Sequence, residues 1–453
     1  MSADEAWEDA RNAALLTDLY ELTMMQAYHR EGLHDTAVFD LFFRKLPPHR
    51  SYLLAAGLES VLAYLEGLRF GDQALAYLDS LDRFTTGFLD YLADFRFTGE
   101  VRAVPEGTPV FANEPVVEVA APLPQAQLVE TFLLNQVHHQ TLMASKGARV
   151  VDAAGDAAVV DFGARRMHGV DASLKAARAF HIAGAAATSN VLAGQVYGLP
   201  VSGTMAHSYI EAHADETAAF EAFAACYPET VLLVDTYDTL AGVRRVADLG
   251  RRLGKDFRVR AIRLDSGDLG ELARRSRAIL DEAGLQQVGI FASGSLDEYA
   301  IADLRAAGAP IDGYGVGTHM GVSEDAPYLD SAYKLVEYAG EPRMKLATDK
   351  VTLPGRKQVF READAAGYYC GDVVAGAGEE HAGPPLLETV MRDGRRLPGA
   401  APALADVRAR AGRERDRLRP ALRAVEAGGA PYPVRVSEDL DRTARELRRS
   451  LGG

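Results

Sequence analysis

Cysteine is scarce in this sequence, which contains only Cys226 and Cys370 among its 453 residues. Two thiols are too few for a disulfide scaffold or for a four-thiolate metal site. Long hydrophobic runs are also missing, because no apolar stretch approaches the roughly 20 residues that span a bilayer. The first twenty residues carry several charged side chains and no apolar core, so we expect no signal peptide. These absences predict a cytoplasmic protein without a membrane partner.

Basic residues are fewer than acidic ones, because the sequence has 49 Lys and Arg residues and 64 Asp and Glu residues, which gives a formal net charge of −15. Proteins that coat nucleic acid need clustered cations, so this balance argues against a nucleic-acid partner. It does not exclude a small anionic substrate, because a few arginines can bind phosphate inside an acidic protein. The length predicts two or three domains. We expect an N-terminal α/β domain over residues 1–130, an α/β barrel over residues 131–345, and a C-terminal region with arginine-rich helices over residues 346–453.

The middle third of the sequence alternates short apolar runs with helical patterns. Six runs that end in polar or glycine residues span residues 158–161, 201–204, 231–235, 259–265, 288–293 and 311–317. Repeated strand–helix units predict a parallel sheet with helical crossovers, and we favour a closed barrel over an open sheet. Ser295 and Glu298 have the spacing of a capping box, which predicts a helix that begins there. Earlier in the chain, residues 100–120 alternate apolar and polar residues around turn signals, which predicts short antiparallel strands.

In a parallel α/β fold, the active site lies where the strands end and the following loops meet. The residues at the six predicted ends are Asp161 with Arg165 and Arg166, Thr204 with His207, Asp235, Arg263 with Asp265 and Asp268, Ser293 with Gly294 and Ser295, and Gly315 with Gly317 and Thr318. This combination of guanidinium, carboxylate, imidazole and glycine predicts an anion site at which a metal ion is an option. None of these ends carries a lysine, which argues against a Schiff-base aldolase.

Two glycine-containing turns are the candidate phosphate sites. Ser293 and Gly294 precede a helix, whose free backbone N–H groups and dipole attract phosphate. Gly315 and Gly317 let backbone amides approach an anion closely, and Thr318 adds a hydroxyl donor. Glycine also ends strands for purely steric reasons, so either turn alone is a weak signal. Two such turns in consecutive strand–helix units are a stronger one.

The charged candidates allow more than one role. Arg165 would present a planar guanidinium to phosphate oxygens. Asp265 is placed to bind ribose hydroxyls or a hydrated Mg²⁺, with Asp235 as a second carboxylate, whereas Asp268 could simply cap the next helix. A lone histidine such as His207 is more often structural than nucleophilic, and no metal-binding pattern with a second histidine includes it.

Nine stretches of this sequence, in order, resemble a known family. They read LLTDLYELTMMQAY, FDLFFRKLP, VDFGARRMHG, SNVLAGQ, GTMAHSYI, VDTYDTL, RLDSGDL, GYGVGT and PRMKLATDKVTLPGRKQVFR. The chain is similar to the bacterial nicotinate phosphoribosyltransferases from about residue 14 to about residue 361. The resemblance implies a type II phosphoribosyltransferase fold, with an N-terminal α/β domain, an irregular TIM-like α/β barrel and a C-terminal extension. It also implies a homodimer with active sites shared at the subunit interface.

The resemblance further implies roles for individual residues. Tyr20 resembles the family tyrosine that covers the nicotinate ring from the neighbouring subunit. Thr204 and Arg263 resemble the threonine and arginine that contact nicotinate. Thr318 resembles a threonine that contacts the phosphoribosyl group, and Arg165 fits the family arginine that reaches the substrate from the partner chain.

The implied reaction converts nicotinate and phosphoribosyl pyrophosphate into nicotinate mononucleotide and pyrophosphate, in the salvage of NAD. His207 matches the family histidine through which ATP hydrolysis is coupled by a transient phosphohistidine. Mg²⁺ is the expected metal, although the sequence does not identify its ligands. Because the pyridine nitrogen bears no proton, Asp235 and Asp265 are expected to position the ribose and the metal rather than to act as general bases.

Three alternative functions fit the sequence less well than nicotinate phosphoribosyl transfer. Relatives that use nicotinamide place a carboxylate near the base, whereas residues 187–190 here read Ala-Thr-Ser-Asn. A phosphosugar lyase or isomerase would show a base lysine or glutamate at a strand end. A non-catalytic binding protein would have lost some of the site residues, yet Arg165, His207, Arg263 and Asp265 are all present.

Overall fold

The computed structural model describes residues 10–346, 352–426 and 430–452. The chain divides into two compact units. The first unit comprises Met1–Leu142, Tyr328–Leu422 and Ala427–Gly453, and the second comprises Met143–Pro327 with Arg423–Glu426. The first unit is therefore built from both ends of the chain, whereas the second is nearly continuous in sequence.

Three β-sheets are formed by the described residues of the first unit. The largest has seven strands in the order Glu341–Pro342, Ser331–Tyr338, Thr36–Phe43, Pro115–Pro122, Glu100–Ala103, Glu388–Arg392 and Arg395–Arg396. The second has three strands, Lys357–Ala363, Tyr369–Gly376 and Val434–Val436, and the third pairs Leu53–Leu54 with Pro109–Val110. The antiparallel strands predicted within residues 100–120 are present in the first and third of these sheets.

The strand Thr36–Phe43 has antiparallel neighbours on both sides, Ser331–Tyr338 and Pro115–Pro122. Its alternating side chains are almost all buried, because the sequence TAVFDLFF places apolar residues on both faces. Phe39 stacks on Tyr333 across the strand pair, with ring centroids 4.8 Å apart. These contacts join two segments that lie nearly 300 residues apart in the chain.

Helices complete the first unit. They are Leu19–Glu31, Leu58–Gly67, Asp72–Asp79, Thr86–Ala93, Leu123–Leu128, Leu404–Asp416, Pro420–Arg423 (whose last residue belongs to the second unit) and Glu438–Ser450, with a 3-10 helix at Ala10–Leu15. The long helix Glu130–Ala154 runs from the first unit into the second. The arginine-rich C-terminal helices carry ion pairs along their own surface, such as Arg442 with Asp439 and Arg445 with Asp441.

The second unit is built on a six-stranded parallel sheet. Its order is Ala187–Thr188, Ala158–Asp161, Gly313–Val316, Gly289–Ser293, Ala261–Leu264 and Val231–Leu233. Every neighbouring pair is parallel. This is a parallel half-barrel, which confirms the predicted TIM-like α/β class. The closed barrel favoured from the sequence is wrong, because, in the described part of the chain, Ala187–Thr188 and Val231–Leu233 are the two edges of the sheet and do not pair with each other. Five of the six predicted runs form its strands, whereas residues 201–204 contribute only a single bridge from Val201 to Thr188.

Helices of the second unit follow its strands. They are Val170–Ala183, Val191–Tyr197, His207–Glu211, Glu216–Cys226, Thr239–Leu253, Leu269–Glu282, Glu298–Ala306 and Thr318–Gly321, with 3-10 turns at Ala164–Arg166 and Gly254–Asp256. Short acidic or amide side chains cap several of them, as when Asp268 accepts a hydrogen bond of 3.0 Å from the backbone of Glu271. Asp268 therefore has the capping role that the sequence allowed.

The predicted capping box at Ser295 and Glu298 is wrong. The helix begins at Glu298, and the cap is Asp297, whose carboxylate accepts a hydrogen bond of 2.8 Å from the backbone of Ala300. Ser295 has a positive φ of 47° and belongs to the preceding turn instead. A left-handed residue of this kind ends the strand sharply and cannot continue into the helix.

The core of the second unit lies between the sheet and its covering helices. Leu232, Ile262 and Ile290 from neighbouring strands pack with Val246 and Leu280 from the helices. Their burial holds the strand ends in fixed register. Within the described ranges, none of the helices is both long and apolar enough to cross a membrane.

Candidate active site

A cavity of about 340 Å³ lies at the carboxyl ends of the central strands of the second unit. It is lined by Phe162, Arg165, Arg166, Arg263, Asp265, Ser293, Gly294, Ser295, Leu296, Gly315, Gly317, Thr318 and His319. Parallel strands bring these residues together because all of their carboxyl ends meet at one edge of the sheet. The cavity is thus lined largely by polar and cationic side chains and by glycine backbone.

Arg263 is the centre of the hydrogen-bond network at the base of this cavity. Its Nε donates to the hydroxyl of Ser293 at 2.7 Å, and its Nη1 donates to the hydroxyl of Thr204 at 2.9 Å. Its Nη2 donates to Oδ1 of Asp265 at 2.6 Å. The side chain is only 14% exposed, so these bonds fix a guanidinium in a largely desolvated place. A fixed and half-buried cation of this kind can bind a carboxylate with little loss of side-chain entropy.

Asp265 is held ionised by its neighbours. Burial alone raises the pKa of its carboxyl group, but the hydrogen bond from Ser293 and the charges of Arg263 and His207 outweigh burial and bring the pKa below its usual value. The hydroxyl of Ser293 donates to Oδ1 of Asp265 at 2.5 Å. Both Arg263 and Ser293 therefore contact the same carboxylate oxygen, and the second oxygen is oriented towards His207.

Asp235 lies beside Asp265 and is largely buried, with 8% exposure. Its Oδ2 accepts hydrogen bonds from the backbone N–H of Asp265 at 3.0 Å and from the hydroxyl of Ser266 at 2.6 Å. Its other oxygen, Oδ1, is buried and has no hydrogen-bond partner in the described parts of the chain. A buried carboxylate oxygen without a partner is costly unless a cation or a ligand donor reaches it.

These two carboxylates fit a magnesium ion. Among the described residues, no group of three or more His, Cys, Asp or Glu side chains could hold a metal. Mg²⁺ does not require such a group, because it is commonly bound by one or two carboxylates together with substrate phosphates and waters. Asp235 and Asp265 supply oxygen ligands of this type.

Two turns form part of the cavity wall. Turn A consists of residues 293–295 and turn B of residues 315–318. Gly294 in turn A has a φ of 86°, and a Cβ atom there would lie 1.9 Å from the carbonyl oxygen of Asp265. Only glycine therefore fits, and it brings the turn A backbone against the Asp265 segment. Turn B ends in Thr318, whose hydroxyl accepts a hydrogen bond of 3.4 Å from Arg166.

His207 begins the short helix His207–Glu211. Its Nδ1 lies 3.1 Å from the hydroxyl oxygen of Thr236, and its Nε2 lies 3.8 Å from Oδ2 of Asp265. The side chain is 42% exposed. The imidazole is thus oriented by Thr236 on one nitrogen, and its other nitrogen is accessible beside the carboxylate.

The sequence did not single out Phe162 or Thr236, although both directly follow a predicted strand end. The ring of Phe162 lies beneath the guanidinium of Arg263, with its centroid 5.4 Å from the guanidinium carbon. A Cβ atom on Gly315 would lie 2.5 Å from this ring. The absence of a side chain at Gly315 therefore allows the Phe162 ring to pack there. Active-site residues are expected where parallel strands end, and this expectation applies to Phe162 and Thr236 as much as to Asp161 and Asp235. The same signal could therefore have found Phe162 and Thr236.

Asp161 supports the loop that carries Phe162 and Arg165. Its two carboxylate oxygens accept hydrogen bonds of 2.8 Å, one from the backbone of Gly163 and one from the hydroxyl of Thr188. Asp161 is fully buried, and burial raises its pKa despite these two bonds. It therefore fixes the backbone at the start of the cavity wall and does not face the cavity itself.

The structure brings most of the predicted site residues together. Those that line the cavity are Arg165, Arg263, Asp265, Ser293, Gly294, Gly315, Gly317 and Thr318. Thr204, Asp235 and His207 join them through the contacts described above. Tyr20 lies in the first unit, on the helix Leu19–Glu31, and its side chain is 48% exposed. Its role stays a prediction.

Comparisons with known proteins identify the family of this chain. The sequence matches the model of the nicotinate phosphoribosyltransferase N-terminal domain over residues 15–138. It also matches the model of the nicotinate phosphoribosyltransferase family over residues 157–304, which include most of the residues that line the cavity.

Individual relatives extend the similarity to nearly the whole chain. The chain is 57% identical over 436 residues to nicotinate phosphoribosyltransferase pncB2 of Mycobacterium tuberculosis, covering 96% of this chain and 93% of that protein. It is 43% identical over 371 residues to nicotinate phosphoribosyltransferase of Bacillus subtilis, covering 80% of this chain and 76% of that protein. The crystal structure of human nicotinic acid phosphoribosyltransferase is similar with a TM-score of 0.83 and 30% identity, covering 95% of this chain and 99% of that chain. The chain therefore belongs to the nicotinate phosphoribosyltransferase family.

Proposed function

We propose that this enzyme transfers the phosphoribosyl group of phosphoribosyl pyrophosphate to nicotinate and couples the transfer to ATP hydrolysis. The observation that carries the proposal is the fixed guanidinium of Arg263, which lies between an aromatic ring and two glycine turns in one cavity. The products are nicotinate mononucleotide and pyrophosphate, in the salvage of NAD, and we infer a cytoplasmic location.

The base would bind at Phe162 and Arg263. A pyridine ring can stack on the face of Phe162, and its carboxylate can then accept hydrogen bonds from the guanidinium. Arg263 has five N–H groups, and its bonds to Ser293, Thr204, Asp265 and the carbonyl oxygen of Met205 leave one N–H on Nη2 available for a ligand. A carboxylate gains an attraction between opposite charges here that a neutral amide does not gain, which favours nicotinate over nicotinamide.

The phosphoribosyl donor would bind along turns A and B. Backbone N–H groups of the turns, the hydroxyl of Thr318 and the guanidinium groups of Arg165 and Arg166 are suited to phosphate oxygens. Arg165 lines the cavity of its own chain, so we assign it to the donor site there and not to the partner's site that the resemblance implied. In the reaction, the bond between the anomeric carbon and pyrophosphate breaks, and the lone pair of the pyridine nitrogen forms the new bond to that carbon. The nitrogen carries no proton, so no residue has to remove one. The cavity contributes mainly position and charge.

Asp235 and Asp265 would orient the ribose and hold Mg²⁺. When bound there, the ion supplies positive charge to the leaving pyrophosphate. The ionised state of Asp265, which Arg263 and Ser293 maintain, also stabilises the positive charge that develops on the ribose ring. The unpartnered Oδ1 of Asp235 supports this placement, because it needs a donor or a cation from the bound ligands.

His207 is proposed as the residue that ATP phosphorylates. When Nδ1 carries the proton and donates a hydrogen bond to the hydroxyl oxygen of Thr236, Nε2 has a free lone pair. Nε2 attacks the γ-phosphorus of ATP, the bond from this phosphorus to the bridging oxygen breaks, and ADP leaves. Hydrolysis of the phosphohistidine returns the imidazole and releases phosphate. The cycle drives synthesis only when the two states of His207 bind substrates and products with different affinities.

A homodimer with shared active sites is also proposed. Exposed apolar side chains support it, namely Val191, Leu192, Val196 and Val201 in the second unit and Leu16, Leu19 and Tyr20 in the first. Apolar groups of this kind mark interaction surfaces, and a second copy of the chain would cover them. Light scattering is expected to give the mass of a dimer, and a monomeric mass at assay concentration would contradict this.

One assay tests the proposed function directly. The purified chain is incubated with phosphoribosyl pyrophosphate and Mg²⁺, with nicotinate or nicotinamide, and with or without ATP, and pyrophosphate and mononucleotide are measured. We expect pyrophosphate release that requires nicotinate and increases with ATP. Absence of the mononucleotide under all of these conditions would contradict the proposal.

A further inference from the structure

Lys146 is a buried cation that does not line the cavity. It lies on the helix Glu130–Ala154, and its side chain is 2% exposed. Its Nζ donates to Oε2 of Glu298 at 2.6 Å and to Oδ1 of Asp325 at 2.7 Å. One ammonium group therefore joins two carboxylates from distant parts of the sequence.

Each of these carboxylates follows one of the turns in the sequence. Glu298 is the first residue of the helix Glu298–Ala306, which follows turn A after two residues. Asp325 lies shortly after the helix Thr318–Gly321, which continues from turn B. The link from Glu298 through Lys146 to Asp325 thus connects the segments that leave the two turns.

The backbone conformation of turn A is energetically unfavourable, so contacts from neighbouring segments have to stabilise it. Gly294 has a φ of 86° and Ser295 a φ of 47°, and the second of these is uncommon for a residue with a side chain. Such a conformation persists only where the surroundings hold it. Glu298 is fully buried and anchored by two cations, since its other oxygen accepts a hydrogen bond of 2.8 Å from Nε of Arg149.

The charges of this cluster balance. Lys146 and Arg149 face Glu298 and Asp325, so two positive groups offset two negative ones. Burial raises the pKa of Glu298, but the two cations outweigh burial and keep the pKa below its usual value. A buried ion pair adds little net stability compared with apolar packing, and its better-attested effect is to specify one arrangement. The arrangement specified here is the spacing of the two turns.

We propose that Lys146 is a positioning residue for the donor site, which fixes turns A and B at the separation that the phosphate groups of phosphoribosyl pyrophosphate require. This inference rests on the proposed function, because it assigns those turns to the donor. Lys146 does not line the cavity, so it acts through Glu298 and Asp325 and not by contact with substrate.

The test compares Lys146→Met with Arg149→Met. Both variants remove one cation from Glu298, but only Lys146→Met cuts the link to Asp325. We expect Lys146→Met to raise the KM for phosphoribosyl pyrophosphate by about tenfold to a hundredfold, since a misplacement near 1 Å can cost this much. The KM for nicotinate is expected to stay near its wild-type value. Arg149→Met is expected to lower thermal stability without this selective change.

A second variant covers the case in which Lys146→Met does not fold. Asp325→Ala removes the arm to turn B and leaves Lys146 paired with Glu298. It is expected to raise the same KM and to weaken the binding of inorganic pyrophosphate, measured by calorimetry without turnover. Unchanged pyrophosphate affinity in folded Asp325→Ala, or equal changes in both KM values, would overturn the inference. Failure of the wild-type protein to turn over nicotinate would instead overturn the proposed function, and the two results are distinguishable.

Discussion

Replacement of Arg263 by alanine is expected to reduce the use of nicotinate far more than the use of nicotinamide. The guanidinium is 14% exposed and fixed by Ser293, Thr204 and Asp265, so no other side chain can take its place without rearrangement. A hydrogen bond to a charged group in such a site is worth up to about 3 kcal/mol, whereas a neutral one is worth about 1 kcal/mol.

These magnitudes convert directly into rates. The loss of about 3 kcal/mol corresponds to roughly a hundredfold lower kcat/KM for nicotinate, and about 1 kcal/mol corresponds to less than tenfold for nicotinamide. The preference for nicotinate over nicotinamide should therefore fall by more than about tenfold. The assay is steady-state pyrophosphate release with each base at saturating phosphoribosyl pyrophosphate.

Arg263→Lys is the matched control. It keeps the positive charge but cannot donate to three partners in one plane, so it is expected to recover part of the preference. Thermal unfolding of both variants establishes that the fold is intact. Equal losses for the two bases in a folded protein would refute the reasoning, because Arg263 would then only support Asp265 and would not recognise the carboxylate.

Three further predictions follow from the same site. His207→Ala is expected to keep weak transferase activity but to lose stimulation by ATP and the acid-labile phosphate on the protein, and full ATP coupling in this variant would remove His207 from the mechanism. Gly294→Ala is expected to abolish activity and to lower stability by more than about 2 kcal/mol, because its Cβ would lie 1.9 Å from the carbonyl oxygen of Asp265. The control Gly284→Ala also has a positive φ, of 75°, but its Cβ would meet no atom within 4 Å, so only a small loss in thermal denaturation is expected. The destabilisation caused by Asp265→Asn should be constant from neutral pH down to about pH 4, the ordinary carboxyl pKa, and should shrink only below it, because the folded-state pKa of Asp265 is lowered and its contribution is lost as pH falls through that pKa. Urea denaturation across this range measures it, and a difference that shrinks already above about pH 5 would contradict the lowered pKa.

The parallel half-barrel and much of its functional edge could be predicted because both depend on local patterns. Short apolar runs that end in Asp161, Asp235 and Asp265 recur at the spacing of strand–helix units, and parallel pairing then brings their ends together. The strand Ala187–Thr188 was missed because two residues are too few to show a period. The capping box at Ser295 failed because the left-handed backbone of that residue is set by the packing of turn A and not by sequence spacing.

The seven-stranded sheet was harder to predict for a different reason. Its strand Thr36–Phe43 is recognisable, but the partner strand Ser331–Tyr338 is specified only by tertiary packing across most of the chain. The contact of Phe162 with Gly315 is similar, because it depends on the adjacency of the strands Ala158–Asp161 and Gly313–Val316. Which strands lie next to each other depends on the order of strands in the sheet, and local periodicity in the sequence does not reveal that order.

The split of the first unit between both ends of the chain has a consequence for biosynthesis. As the chain leaves the ribosome, the strand Thr36–Phe43 emerges long before Ser331–Tyr338, and one of its edges stays unpaired while the whole intervening segment is made. The nearly continuous second unit has its residues available earlier and can fold first. The nascent protein should thus depend on chaperones until its last third has been synthesised, and its early edge strand is where aggregation of truncated products would begin.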